Sequence, residues 1–216
     1  MRVLVTAGPT REALDPVRYL TNRSSGKMGY AMADAFAKAG HEVLLISGPT
    51  VLEIPDGVDF LPVESALEMF EAVKRHLARH DAAVFTAAVA DYRPVAVADQ
   101  KIKKSGETMT LELVRTPDIL GSVRAEFGFS GTLVGFAAET QNLEANARDK
   151  LQRKGCDLVI ANDVSKPGIG FDSDRNELLL VFPDHVESMP EDEKHHLAPA
   201  LVLEIERIAA EKLAAG

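Results

Sequence analysis

The run Thr21-Asn22-Arg23-Ser24-Ser25-Gly26-Lys27-Met28-Gly29 places a polar, glycine-bearing turn directly ahead of an apolar-periodic segment. A helix that starts this way offers backbone N–H groups and the positive end of its dipole to a phosphate or carboxylate. Gly26 and Gly29 leave room for a ligand near the backbone, and a serine at 24 or 25 is placed to cap the helix. Two groups of cations could complete an anion site: Lys101, Lys103 and Lys104 in a polar segment, and Arg148, Lys150, Arg153 and Lys154 ahead of Gly155. Each has a plainer reading as well. The first fits a solvated hairpin loop, and the second fits cations that offset the dipole at a helix end closed by glycine.

The elements that must position these residues follow from hydrophobic periodicity. Residues 2–6 form a short apolar, β-branched segment, after which Ala31, Ala35, Phe36 and Ala39 recur at helical spacing before a second strand at 43–46. Further strands are expected at 59–63, 82–87, 109–114, 132–136, 157–161 and 177–182. Helices are expected at 66–77, 118–126 and 143–154, with a closing helix from about Leu197. This alternation predicts an α/β fold, a three-layer αβα sandwich around a Rossmann-like, mostly parallel sheet. Ligands in such folds sit beyond the carboxyl ends of the strands, where residues 7–10, 87–92, 137–140 and Asn162-Asp163 would gather. Residues 165–176, rich in Gly, Pro, Asp and Ser, read as a mobile loop.

The 216 residues, 46% of them hydrophobic, suit one α/β domain with a substantial core. A formal charge of −9 argues against general nucleic-acid binding, so an anionic ligand must find local positive charge. No run approaches the roughly 18 apolar residues of a membrane span, and the first residues read as a strand and not as a signal peptide. The expectation is a cytoplasmic protein. The single cysteine, Cys156, reads as a packed thiol and not a nucleophile.

Other chemistries fit less well. About eighteen residues separate the first strand from its helix, against the tight G-x-G-x-x-G turn of a dinucleotide fold. The Tyr-x-x-x-Lys pair of short-chain reductases is missing, since Tyr19, Tyr30 and Tyr92 are followed at that spacing by Arg23, Asp34 and Ala96. Gly26-Lys27 lacks the remaining P-loop residues. His76 and His80 lie one turn apart without the glutamate of a zinc protease, and His195-His196 reads as surface.

The ordered set of Thr6-Ala7-Gly8-Pro9-Thr10-Arg11-Glu12, Asp15-Pro16-Val17-Arg18-Tyr19, Asn22 to Gly29, Ala87-Ala88-Val89-Ala90-Asp91-Tyr92, Lys101-Ile102-Lys103-Lys104, Pro117-Asp118-Ile119, Gly135 to Thr140 and Ala161-Asn162-Asp163-Val164 resembles phosphopantothenoylcysteine synthetase. That enzyme is the ligase half of the bacterial bifunctional coenzyme A biosynthesis flavoprotein. The resemblance covers nearly the whole chain and is weakest after about Pro183. It implies CTP-dependent ligation of 4'-phosphopantothenate to L-cysteine with Mg²⁺. The carboxylate first becomes an acyl-cytidylate with release of pyrophosphate, and the cysteine amine then displaces CMP. No covalent enzyme nucleophile is required. Positioning and charge stabilisation would carry the reaction.

Carried onto this sequence, the resemblance implies that Asn22 holds the acyl-nucleotide and that Lys101, on a flap near 98–107, closes over the nucleotide and helps complete the reaction. It puts Ala87 and Ala88 against nucleotide and pantothenate, and Asp91 at the nucleotide. Pro117, Asp118, Ile119 and Leu120 would read the base, Phe136 would line its pocket, and Lys150 and Lys154 would meet the triphosphate. Arg18 would contact the substrate phosphate from a neighbouring subunit of a homodimer. No metal ligand is assigned. The chain lacks tryptophan and the Met-Asn-x-x-Met-Trp pattern of the flavin-dependent decarboxylase half, so that activity would reside in a partner or in another part of a longer protein. An NADP-binding reductase, or a nucleotide-binding module inactive without a flavoprotein partner, are the competing functions.

Overall fold

The computed structural model describes residues 1–104, 106–166, 170 and 173–215. The chain opens with β1 (Arg2–Ala7), the short strands β2 (Arg11–Ala13) and β3 (Tyr19–Thr21), and α1 (Lys27–Lys38). It continues with β4 (Glu42–Ser47), β5 (Val58–Pro62) and α2 (Ala66–His76), which tightens into a 3-10 turn at Leu77–Arg79. Next come β6 (Ala82–Phe85), β7 (Tyr92–Pro94), β8 (Leu113–Arg115), α3 (Ile119–Ala125), β9 (Thr132–Glu139) and α4 (Leu143–Lys154). The chain closes with β10 (Leu158–Asp163), β11 (Arg175–Val181), β12 (Val186–Glu193) and α5 (Lys194–Ala215).

Eight strands form the central sheet in the order β12-β11-β10-β9-β6-β1-β4-β5. The pairs from β10 to β5 are parallel, while β11 and β12 run antiparallel at one edge. The central strands are apolar on both faces because helices cover both. Val3 and Val5 of β1 face Met32 and Phe36 of α1 and Leu201 and Ile205 of α5. Leu4, between them, faces the opposite layer, where Met69 and Val73 of α2, Val123 of α3 and Leu151 of α4 pack. That alternation makes the three-layer sandwich. Phe36 is wholly buried, and truncating it to alanine would cost about 3–5 kcal/mol.

Several elements differ from the sequence reading. The strand expected at 82–87 ends at Phe85, which leaves Ala87 and Ala88 in a loop at its carboxyl end. The strand expected at 109–114 is confined to Leu113–Arg115 and pairs with β7 outside the main sheet. β2 pairs with β3 in a second small ladder. These three-residue strands are too short for a periodic pattern to identify. β12 escapes notice because its sequence, VESMPEDE, is largely polar, as an exposed edge strand tolerates. Much of the loop expected at 165–176 has a different end, since Arg175 and Asn176 already belong to β11. Residues 167–169 and 171–172 of that segment, and Ser105 of the expected flap, lie outside the described residues. The last helix starts at Lys194 and not Leu197.

Candidate active site at the carboxyl ends of the strands

The loop after β6 is held on every side by the segment after β1. The Thr86 hydroxyl donates to Thr6 O (2.6 Å), Ala88 N donates to Gly8 O (2.9 Å), and Thr10 N donates to Ala88 O (3.2 Å). The buried Thr10 hydroxyl accepts from Ala90 N at 2.9 Å. Asn22, on the long excursion between β1 and α1, donates its side-chain amide to Ala88 O (2.9 Å) and Val89 O (3.2 Å). The excursion thus folds back on the point between β1 and β6 where the crossovers from the two strands, through α1 and α3, leave over opposite faces of the sheet, the place such folds bind ligands.

Two adjoining clefts open there. The larger, of about 560 Å³, is lined by Ala87, Asp91, the segment 117–120, Phe136, Lys150 and Lys154, every nucleotide-side residue expected from the sequence apart from Lys101. Lys150 donates to Phe136 O (2.9 Å), and burial lowers its pKa against the raising influence of Glu139. Lys154 reaches across from α4 to Asp118, the N-cap of α3, whose other oxygen accepts from Gly121 N (2.9 Å). Burial works to raise the Asp118 pKa, but the bonds from Lys154 and Gly121 prevail and lower it. Neighbouring Arg148 and Arg153 instead form surface pairs with Glu144 and Asp149, while of the two lysines only Lys154 lies in the last turn, where its charge also offsets the helix dipole. Arg153 nonetheless borders the cleft, as does Arg115 at the end of β8. Arg115 was not singled out from the sequence, because it follows the strand expected at 109–114 with no motif around it.

The smaller cleft, of about 300 Å³, shares Ala87, Val89, Asp91, Phe136 and Lys150 with the larger one and runs to the start of α1, with Ala88 on its wall. Gly26 occupies the N-cap position of α1 with φ 80°, so neither serine caps the helix as expected. The Ser24 hydroxyl accepts from Gly26 N at 3.3 Å, ahead of the first turn. Gly29 serves packing: a Cβ there would lie 2.5 Å from Ala7 Cβ and 2.4 Å from the Thr86 hydroxyl. Asn162, Asn176 and Lys194 complete this cleft. Asn162 donates to Asn176 Oδ1 (3.3 Å), and Lys194, only 5% exposed, donates to Gly170 O and Ser173 O. Asn176 and Lys194 were not legible in the sequence: one reads as the last residue of a polar loop, and the other heads a helix whose first turn looks like surface.

Asn22, Lys101 and Arg18 line neither cleft, although Asn22 bonds to Ala88 and Val89 on the wall of the smaller one. Lys101 is exposed and lines neither cleft. Arg18 is bonded to Asp15 and to Ile102 O, the residue after Lys101, and also stays outside both clefts. Cys156 is buried, and burial raises its thiol pKa to about 12, so it is packed and unreactive as expected. His80 bonds through Nδ1 to His76 O, and His195 and His196 are exposed. Among the described residues, no three His, Cys, Asp or Glu side chains gather in a metal-binding group, and no helix is long and apolar enough to cross a membrane.

Residues 1–208 match the family described as DNA/pantothenate metabolism flavoprotein C-terminal domain. The chain belongs to this family. Among its relatives, the coenzyme A biosynthesis bifunctional protein CoaBC of Vibrio cholerae is 53% identical over 203 residues, covering 93% of this chain and 51% of the relative. CoaBC of Bacillus subtilis is 51% identical over 190 residues, covering 87% and 47%. The chain therefore spans about half the length of the curated relatives it matches. Within the family, the crystal structure of a CoaBC C-terminal domain superimposes with a TM-score of 0.83 at 41% identity, covering 97% of this chain and 96% of that one. The DNA/pantothenate metabolism flavoprotein from Streptococcus pneumoniae has the same score at 25% identity, covering 96% and 99%. A Cab2 mutant in complex with phosphopantothenate-cysteine shares the fold, at TM-score 0.82 and 18% identity.

Proposed function

We propose that this domain ligates 4'-phosphopantothenate to L-cysteine, spending CTP and passing through an acyl-cytidylate. Membership of the family supports the pathway. The observation that carries the chemistry is the junction of the two clefts, where a cation-bearing compartment meets one that opens on a helix N-terminus. A nucleoside triphosphate and a phosphorylated acid are both anionic. Each suits one compartment, and their reacting groups would meet at the shared Ala87, Val89 and Lys150.

A carboxylate is a poor electrophile because oxide would have to leave. Attack of its oxygen on the α-phosphorus breaks the bond to pyrophosphate and installs CMP as a good leaving group. The cysteine amine then attacks the acyl carbon, CMP departs, and a proton is lost from nitrogen. Asn22 orients the acyl-nucleotide from its fixed place against the 88–89 backbone, and alanine at 87 and 88 keeps that approach open. Lys150 and Lys154 bind the triphosphate side, with Lys154 exchanging Asp118 for phosphate oxygens. Residues 117–120 and Phe136 enclose the base, and Asp91 faces the nucleotide. Lys101 offsets charge at the α-phosphate when its exposed side chain swings inward from the flap segment. Magnesium would enter as a companion of the nucleotide phosphates and supply further charge neutralisation, and of the residues lining the larger cleft Asp91 would offer a carboxylate to hold it.

A homodimer suits the exposed apolar residues Tyr19, Tyr92, Leu113 and Val114 on the small ladders. The flavin-dependent decarboxylase that consumes the product would be the partner activity. The test is pyrophosphate release from CTP and Mg²⁺ with 4'-phosphopantothenate, with and without cysteine, with ATP and GTP in parallel. Sustained release that needs both substrates establishes the ligase. Absence of release with all three nucleotides overturns it, and NADPH binding would then favour a reductase.

A further inference from the structure

The turn that carries Asp15 and Arg18 grips the segment that carries Lys101. The Asp15 side chain has 0% exposure. Its Oδ1 accepts from Val17 N (2.8 Å) and Arg18 N (2.9 Å), which sets the turn. Its Oδ2 accepts from Arg18 Nε (3.0 Å) and Nη2 (2.5 Å), and also from Ile102 N (3.0 Å). Arg18 Nη2 then donates to Ile102 O at 2.8 Å. One ion pair therefore holds Ile102 by both its backbone polar groups. A further bond from Ala98 N to Leu14 O (3.0 Å) ties the same two segments four residues earlier.

The Ile102 N–H belongs to the peptide that joins it to Lys101. Holding this peptide fixes the root of the Lys101 side chain while leaving its exposed ammonium free to swing. A residue tethered at its root searches a small volume, so less freedom is lost when it meets a developing charge. We propose that Asp15 and Arg18 form a clasp on Ile102 that positions Lys101, so that Asp15 is a positioning residue of the ligation. The role rests on the reading of Lys101 given under Proposed function.

The test measures hydrogen exchange at the Ile102 amide and steady-state kinetics for Asp15→Asn, Lys101→Gln and the double variant. Faster exchange at Ile102, a fall in kcat of about tenfold or more with little change in the KM for CTP, and no further loss when Asp15→Asn is added to Lys101→Gln support the clasp. Arg18→Lys, which keeps the charge beside Asp15 but loses the fork, should also speed Ile102 exchange and provides a second variant if Asp15→Asn folds poorly. Unchanged exchange in both variants overturns the anchoring. Faster exchange with full turnover, or a loss that adds in full to that of Lys101→Gln, overturns the positioning role alone. A wild-type chain without ligase activity overturns the reading of Lys101 and the positioning role with it, while exchange at Ile102 still reports on the grip.

Discussion

The Asn22 side-chain amide lies 2.9 Å from Ala88 O, donating across 66 residues of sequence to the wall of the smaller cleft. This bond ties the excursion after β1 to the small-residue loop after β6. Asn22→Ala should cost about 1 kcal/mol of stability, the usual worth of such a bond, while lowering kcat far more than that loss explains. Asn22→Asp, which sets a carboxylate against two carbonyl oxygens, should be worse in both respects. Urea denaturation beside steady-state kinetics separates the effects, and an Asn22→Ala enzyme with full turnover would remove the residue from the mechanism.

Lys101 is exposed and lines neither cleft, so Lys101→Gln should leave the urea midpoint unchanged within error. Turnover with cysteine should fall at least tenfold, as expected for loss of a charge that acts only during reaction. Equal turnover would exclude Lys101.

Lys154 and Asp118 meet at the rim of the larger cleft, with the Asp118 side chain 59% exposed. Lys154 is only 13% exposed, but its partner stands largely in water, so the pairing itself contributes little to stability. Lys154→Gln should therefore raise the KM for the nucleotide about tenfold while barely changing unfolding. Asp118→Ala should instead lose about 1 kcal/mol through the cap of α3, with Asp118→Asn retaining most of it. A shared KM effect of the same sign in Lys154→Gln and Asp118→Asn would contradict the exchange of Asp118 for phosphate.

Asp15 yields a pH signature. The Arg18 guanidinium holds its carboxyl far below the ordinary carboxylate range; burial opposes this, and the N–H groups of Ile102, Val17 and Arg18 add to the lowering. A depressed folded-state pKa stabilises the fold fully above the unfolded value of about 3.9, and the contribution is lost as pH falls toward the folded value. The urea midpoint of Asp15→Asn should lie below wild type at pH 7, and the gap should narrow below pH 4. A gap that persists unchanged at pH 3 would refute the assignment.

Cys156, with its thiol pKa pushed up to about 12 by burial, should resist a thiol-directed aromatic disulfide at pH 8 until the protein unfolds. Rapid labelling in native buffer would contradict its burial.

The layer order was legible in the sequence because long apolar runs and helical spacing reflect burial on one or both faces. So were the ends of the parallel strands, while it was the family resemblance that pointed to Ala87, Asp91, residues 117–120, Phe136, Lys150 and Lys154, which line one cleft there. Local pattern could not reveal the small ladders, the polar edge strand β12, or the inward positions of Asn176 and Lys194, whose surroundings come from distant segments. Lys150 and Lys154 were visible as one helical face, but only packing against β9 and α3 separated them from Arg148 and Arg153, which pair on the surface. Likewise Asp15, Arg18 and Ile102 carry no joint signal along the chain. Their clasp exists because the fold brings a turn near residue 16 against a segment more than 80 residues later, where one carboxylate and one guanidinium can satisfy both ends of a peptide.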